Sequence, residues 1–143
     1  MPKTPKLAAD AIIELIDHPD RPIVLIERKN PPHGWAIPGG FVDIGESVPD
    51  AAVREAREET SMEVSLQCLL GCYSDPSRDP RGHTVSMIYI AQAHGEPVAA
   101  DDAVNVGIFD PGAVNVPLAF DHAKILQDYV RYRRTGSVPP ITR

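Results

Sequence analysis

The run VREAREETSM, residues 53–62, sets a problem that any fold of this chain must solve. It lies in the clearest helical segment, Ser47–Ser61. Ser47 is a capping residue, Pro49 falls in the first turn where its missing N–H is of no consequence, and Asp50 suits the positive helix end. At about 100° per residue, Glu55, Glu58 and Glu59 share one face with Ala51, Ala52 and Met62. Small apolar residues mark a side that packs inward, so three carboxylates must share that side. Like charges three and four residues apart repel even on an exposed helix, and partial burial drives such acids toward protonation. A hard divalent cation answers the repulsion, because Mg²⁺ takes oxygen ligands and keeps water and substrate phosphate in its shell. A solvated acidic face paired with Arg54 and Arg57 is the plainer reading. The residues upstream weigh against it. Gly39–Gly40 closes a proline-rich loop and lets backbone pass close to another group. Glu46 then adds a fourth carboxylate just before the helix.

The rest of the chain reads as alternating strands and helices. Strands are expected at 7–16 and 22–27, joined as a hairpin by the turn residues Asp17–Arg21. A proline-rich loop covers 28–38. Further strands are expected at 64–73, 83–93 and 104–109, with a polar loop at 74–82. A second helix, 121–134, carries Ile125, Leu126, Tyr129 and Val130 on one stripe and Arg131, Arg133 and Arg134 at its negative end. This order implies an α/β sandwich. The length, 143 residues, suits one domain. Lys plus Arg total 14 against 20 for Asp plus Glu, a net charge of −6, which argues against a nucleic-acid binder with a basic stripe. No apolar run approaches the ~20 residues of a membrane span, and the N-terminus lacks a signal-peptide pattern, so a cytoplasmic address is expected. Cys68 and Cys72 on one strand would sit roughly 13 Å apart, too far for a disulfide. They are read as core or near-core thiols.

From Gly40 to Met62 the chain resembles the Nudix hydrolase signature. That pattern is Gly, five residues, Glu, seven residues, then Arg-Glu-apolar-x-Glu-Glu-x-Gly-apolar. Here Gly40 is followed by FVDIG and Glu46, then SVPDAAV, then Arg54, Glu55, Ala56, Arg57, Glu58, Glu59, Thr60, Ser61 and Met62. Ser61 stands where the pattern has Gly. Glycine suits a left-handed helix terminus, and another residue there costs about 1 kcal/mol. The resemblance implies a single Nudix domain across residues 1–143, an α/β/α sandwich with a mixed central sheet. It implies Mg²⁺, with Mn²⁺ as a substitute, held by Glu55, Glu58, Glu59 and the Gly39 carbonyl. Glu46 would be a supporting acid, and Arg54 would orient the glutamates by ion pairing. The catalytic base would come from Glu58 or Glu59 or from a later loop. There Asp102, in AADDAVNVGIF, is the first choice against a plain acidic turn.

The segments GWAIPGGFV before the signature, YSDPSRDPRGHTVS (Tyr73–Ser86) and LAFDHAKIL (Leu118–Leu126) are similar to the ADP-ribose pyrophosphatase-like branch of that family. The resemblance then implies hydrolysis of ADP-ribose to AMP and ribose 5-phosphate. Arg28, Ser77, Arg78 and Arg81 are the expected substrate contacts, since guanidinium forks match phosphate oxygens. Tying down a surface loop is the plainer role for the same side chains. Trp35 and Phe41 offer stacking surfaces for adenine. His83 is read as a loop brace, and His18, His33, His94 and His122 show no spacing that argues for a site. Pyrophosphohydrolysis of a nucleoside triphosphate, oxidised dGTP included, is the alternative reaction. A non-catalytic nucleotide-sugar sensor is a third reading, against which the intact carboxylate set counts. The expected partner is a small nucleotide, with no nucleic acid and no membrane, and the family resemblance implies a homodimer.

Overall fold

Both faces and both edges of the strand Lys6–Leu15 (β1) are occupied, and the chain is arranged around it. The computed structural model describes residues 2–100 and 103–141. After β1 come β2 (Ile23–Arg28), β3 (Trp35–Ala36), β4 (Gly39–Phe41), α1 (Val48–Thr60), β5 (Ser65–Tyr73), β6 (Thr84–Ala93), β7 (Ala103–Phe109) and α2 (His122–Thr135). On one edge β1 runs parallel to β6, from Lys6 opposite Thr84 to Leu15 opposite Ala93. β5 adds antiparallel beyond β6. The other edge is divided. Ala8–Asp10 pair with β4, and Glu14 meets Ile23 of β2. β3 and β7 then pair with β2. The result is a mixed seven-stranded sheet.

The period of two along β1 sorts its side chains onto two faces. Ala11, Ile13 and Leu15 pack with Ala56 and Met62 beneath α1, and Ala9 meets Ala51 and Ala52. Ile12 joins Ile125, Leu126 and Tyr129 of α2. Two helices therefore cover opposite faces of one sheet, an α/β/α sandwich as expected. Glu14 shares the α2 face, and its carboxylate accepts the Tyr129 hydroxyl at 2.6 Å. A buried carboxylate needs such a partner, because leaving it without one is costly.

Local chemistry sets the helix ends. The Ser47 hydroxyl accepts the Asp50 N–H at 3.2 Å, and a proline occupies the first turn of α1. At the far end Ser61 is left-handed, with φ 62° and ψ 20°. This is the conformation expected where the signature has glycine. Its N–H donates to the Arg57 carbonyl, and its hydroxyl donates to the Val98 carbonyl at 3.2 Å. α2 ends conventionally at Gly136, with φ 75°. From its last turns Arg133 reaches back to donate to the carbonyls of Asp20 and Arg21. Both residues have positive φ in the β1–β2 turn, so α2 clasps that turn.

Two readings need correction. β3 and β4 lie in a stretch expected to be loop and glycine-rich connection. They span only two and three residues, and their pairing is tertiary: Trp35 donates to the Pro117 carbonyl and Ala119 donates to that of Trp35. Cys72 is exposed and Cys68 half-buried, and both are free thiols. β5 is the outermost strand, so its outward residues face solvent. Among the described residues no helix is long and apolar enough to cross a membrane.

Candidate active site

Where the edge of β1 passes from β4 to β2, the sheet opens into a cleft of about 420 Å³. That volume suits a small organic ligand. Its two walls are chemically opposite.

The first wall is acidic. Asp10 of β1 and Glu55 and Glu59 of α1 line it, with Gly39 and Gly40 between them. The carboxylates approach so closely that only glycine fits. A Cβ at Gly39 would lie 1.8 Å from Asp10 Oδ1, and one at Gly40 would lie 2.5 Å from Glu55 Oε1. The Gly39 N–H donates to Glu59 Oε1 at 2.7 Å. Burial nonetheless pushes Glu59 up to about 8, and the charges of Glu55 and Asp10 add to the rise. Asp10 is also pushed up to about 8 by burial, with Arg78 pulling the other way and Glu55 pushing with it. Burial raises Glu55 too, against its bond to Arg54. The wall holds more negative groups than its surroundings neutralise.

Arg54 fastens the outer side of this wall. Its Nε and Nη2 form a fork on the two Glu46 oxygens at 2.6 and 2.9 Å, and its Nη1 donates to Glu55 at 2.9 Å and to Glu58 at 3.1 Å. Nη2 also donates to the Phe41 carbonyl. The fork holds Glu46 down at about 2. Glu58 is exposed and turned to Arg54, whereas Glu59 is buried. Among the described residues no three His, Cys, Asp or Glu side chains converge closely enough to enclose an ion by themselves.

The second wall is cationic and aromatic. The Arg28 guanidinium lies 4.8 Å from the Phe120 ring centre, and Arg81 lies 5.1 Å from the same ring and 5.2 Å from Phe41. Lys6 follows at 5.1 Å from Phe41. Cations over ring faces are held by the ring quadrupole. Arg28 donates to the Pro32 carbonyl at 2.8 Å, and Arg81 pairs with Asp79 at 2.9 Å. Burial lowers Arg28, and the nearby Arg81 charge lowers it further.

The residues expected at the site divide as follows. Gly39, Glu55, Glu59, Arg28 and Arg81 line the cleft, and so does Phe41. Arg78 lines it too, but its guanidinium is already committed: it forks onto Asp121 at 2.9 and 2.7 Å and donates to the Ser86 hydroxyl at 2.8 Å. Ser77 is exposed and donates to Asp75 at 2.7 Å, away from the cleft lining. Trp35 packs edge-on against Phe109 rather than into the cleft. His83 Nε2 lies 3.0 Å from the Ser74 carbonyl, across the 74–82 loop. Asp102 lies outside the described residues.

The lining also includes Asp10, Phe120 and His122, which the sequence analysis does not place at the site. His122 is buried and accepts the Ile37 N–H on Nδ1 at 3.0 Å. Burial lowers its pKa to about 3. The neutral ring therefore carries its proton on Nε2, which lies 3.8 Å from Asp10 Oδ2. A signal existed for Asp10: an acid in phase with Ile12 and Glu14 on a mostly apolar strand. Phe120 and His122 carried none, because what matters is the fold bringing the start of α2 to the sheet opening.

Comparison with known proteins finds relatives over most of the chain. The model of the NUDIX domain family matches residues 5–129. An ADP-ribose pyrophosphatase of Methanocaldococcus jannaschii is 48% identical over 133 residues, covering 90% of this chain and 75% of that protein. The NUDIX domain of Shewanella oneidensis NrtR, solved in complex with ADP ribose, superposes with a TM-score of 0.77 at 27% identity, covering 93% of this chain and 90% of that one. A bifunctional NMN adenylyltransferase/ADP ribose pyrophosphatase of Francisella tularensis, solved with AMP and a Mn ion, also gives 0.77 at 27% identity, over 90% of this chain and 42% of that one.

Proposed function

This chain belongs to the NUDIX domain family, and from that premise we propose that it hydrolyses ADP-ribose to AMP and ribose 5-phosphate with Mg²⁺. The observation that carries the reading is the pairing of opposite walls in one cleft. A nucleoside diphosphate sugar needs cations for its phosphates, an aromatic surface for its base or sugar, and oxygen ligands for a metal beside the anhydride. The cleft offers all three. The Methanocaldococcus relative, an ADP-ribose pyrophosphatase, supports the choice of substrate.

The donor set fits a hard divalent cation. Every candidate ligand is an oxygen, and burial and mutual repulsion hold the carboxylates of Glu59 and Glu55 above their ordinary range. Glu55, Glu58, Glu59 and the Gly39 carbonyl would hold Mg²⁺, with Mn²⁺ as a substitute. A metal held there would supply neutralisation of phosphate charge and a lowered pKa for water.

The chain's own residues supply the rest. Arg28 and Arg81 bind the diphosphate oxygens, and Phe41 and Phe120 flank the organic part. Arg54, forked on Glu46, fixes the α1 glutamates. Arg78 braces the 74–82 loop against the start of α2 and so places Phe120. The oxygen of the attacking water forms a bond to phosphorus as the P–O–P bridge breaks, and its proton passes to a carboxylate. Glu58 is the solvent-exposed member of the three α1 glutamates, and Asp102 is the candidate from the later loop. Two copies are proposed to pair, which light scattering on the purified protein reads directly.

Steady-state hydrolysis of ADP-ribose with Mg²⁺, products resolved, beside a panel of nucleoside triphosphates tests the reading. Release of AMP and ribose 5-phosphate as the preferred reaction supports it. Preference for a triphosphate with release of pyrophosphate overturns it and keeps only the acidic wall.

A further inference from the structure

The cation–aromatic wall does not stop at the cleft. Past Phe41 it borders a second concavity of about 430 Å³, which shares Phe41, Arg81 and Thr84 with the first. Lys3, Lys6, Arg81 and His83 line it, and among the described residues no Asp or Glu does. That is a marked local bias in a chain with a net charge of −6.

The placement of Lys6 is built into the sheet. Lys6 opens β1 opposite Thr84, and its N–H donates to the His83 carbonyl at 3.1 Å. Its ammonium rests 5.1 Å from the Phe41 ring centre. Arg81 is the link between the two spaces, since it lies beside both Phe41 and Phe120. Asp79 already pairs with Arg81. Among the described residues the ion pairs include neither Lys3 nor Lys6. The concavity thus offers positive charge and N–H donors with no internal acid to answer them, one side chain away from the proposed diphosphate site.

We propose that this second concavity is a subsite for a third phosphate carried by the substrate. Lys3 and Lys6 bind a phosphate ester on one ribose of a nucleoside diphosphate sugar while Arg28 and Arg81 hold the diphosphate. The inference rests on the reading of the cleft as a nucleoside diphosphate site. It predicts a preference for ADP-ribose bearing an additional phosphate, and the position of that phosphate reports which end of the substrate lies beyond Phe41.

The test compares kcat/KM for ADP-ribose, for ADP-ribose phosphorylated at the adenosine 2′ position, and for ADP-ribose phosphorylated on the distal ribose. The proteins are the wild-type chain, Lys3→Gln/Lys6→Gln and Lys3→Arg/Lys6→Arg. One phosphorylated isomer should be preferred roughly tenfold by the wild type, since charge-assisted hydrogen bonds to phosphate are of that strength. The ratio should fall to about one in the Gln variant and persist in the Arg variant. Equal kcat/KM for all three compounds in the wild type overturns the proposal, as does a preference that survives in the Gln variant. Calorimetry of the same ligands with metal chelated gives a readout independent of turnover. If no ADP-ribose compound is hydrolysed but the Gln variant still loses affinity for one isomer, the proposed reaction fails and the subsite stands.

Discussion

The two walls of the cleft are built by opposite strategies. The acidic wall comes mainly from one stretch of chain, Gly39–Glu59, with Asp10 added from β1. Its charges are crowded and partly buried, and one arginine holds three of them. The cation–aromatic wall is gathered from Lys6, Arg28, Phe41, Arg81 and Phe120, far apart in sequence. Its charges sit over ring faces and reach toward water. The first arrangement stores an electrostatic deficit that suits a metal and a reacting phosphate. The second is a set of separable contacts that suits recognition. On the proposed function, chemistry and substrate choice would sit on different parts of the chain and should respond differently to mutation.

The largest contrast is expected from the acidic wall. Glu58→Gln/Glu59→Gln should reduce kcat on the order of 10³-fold while the far-UV circular dichroism is kept, because glutamine fills the same space in the packing of α1. Full activity in that double variant would break the assignment. Next comes Arg78, which belongs to the recognition side by position but to the fold by its bonds. Arg78→Ala leaves Asp121 without its fork and should cost about 3 kcal/mol in urea unfolding. Unchanged stability would return Arg78 to the set of free substrate contacts.

Proton linkage gives the third effect. In the metal-free protein Asp10 and Glu59 both sit near 8, well above their unfolded values of 3.8 and 4.5. Stability from these groups is fully present below about pH 4 and is lost as pH rises through about 8. The thermal midpoint with metal chelated should fall between about pH 4 and pH 8 and level off above that, and Mg²⁺ should restore most of it at the alkaline end. A midpoint that does not move with pH would show that the acidic wall carries no such deficit. The smallest effect belongs to Arg81→Ala. It should raise KM for ADP-ribose roughly tenfold with kcat nearly unchanged, the pattern of lost uniform binding. A fall in kcat at constant KM would move Arg81 from recognition to chemistry.

The same contrast explains what could be read without coordinates. Ser47, Pro49 and the Glu55, Glu58, Glu59 spacing are local, so the helix and its acidic face follow from the angle per residue alone. Ser61 was legible for the same reason, since a helix end that wants glycine wants a left-handed residue, and Ser61 takes φ 62°. Sequence spacing put Glu58 and Glu59 on one face. It did not show that one faces Arg54 at the surface while the other accepts the Gly39 N–H, because that depends on what α1 packs against. The stacking of Arg81 between two rings had no local signature at all. Phe41 and Phe120 meet Arg81 only after the sheet has formed. Ser77 and Arg78 looked alike as polar loop residues, yet Asp121 claims one and Asp75 the other. β3 and β4 are too short to have a period, and their existence rests on partners elsewhere in the chain.

The alternation along β1 has a consequence for how this chain tolerates changes of length. Odd positions from Ala9 to Leu15 are packing, and the even positions Asp10, Ile12 and Glu14 deliver a cleft acid, a core contact and the Tyr129 anchor. A one-residue insertion or deletion inside the strand acts like a frameshift in space. It would turn the acids under α1 and the alanines toward α2, and shift the parallel register with β6 along its whole length. The turn at Asp17–Arg21 is clasped from outside by Arg133 and tied to Gly95 through Asp17 and His18, and length variation between those anchors would leave the phase of β1 intact. Grafts and loop extensions in this scaffold therefore belong at that turn, with β1 kept at fixed length.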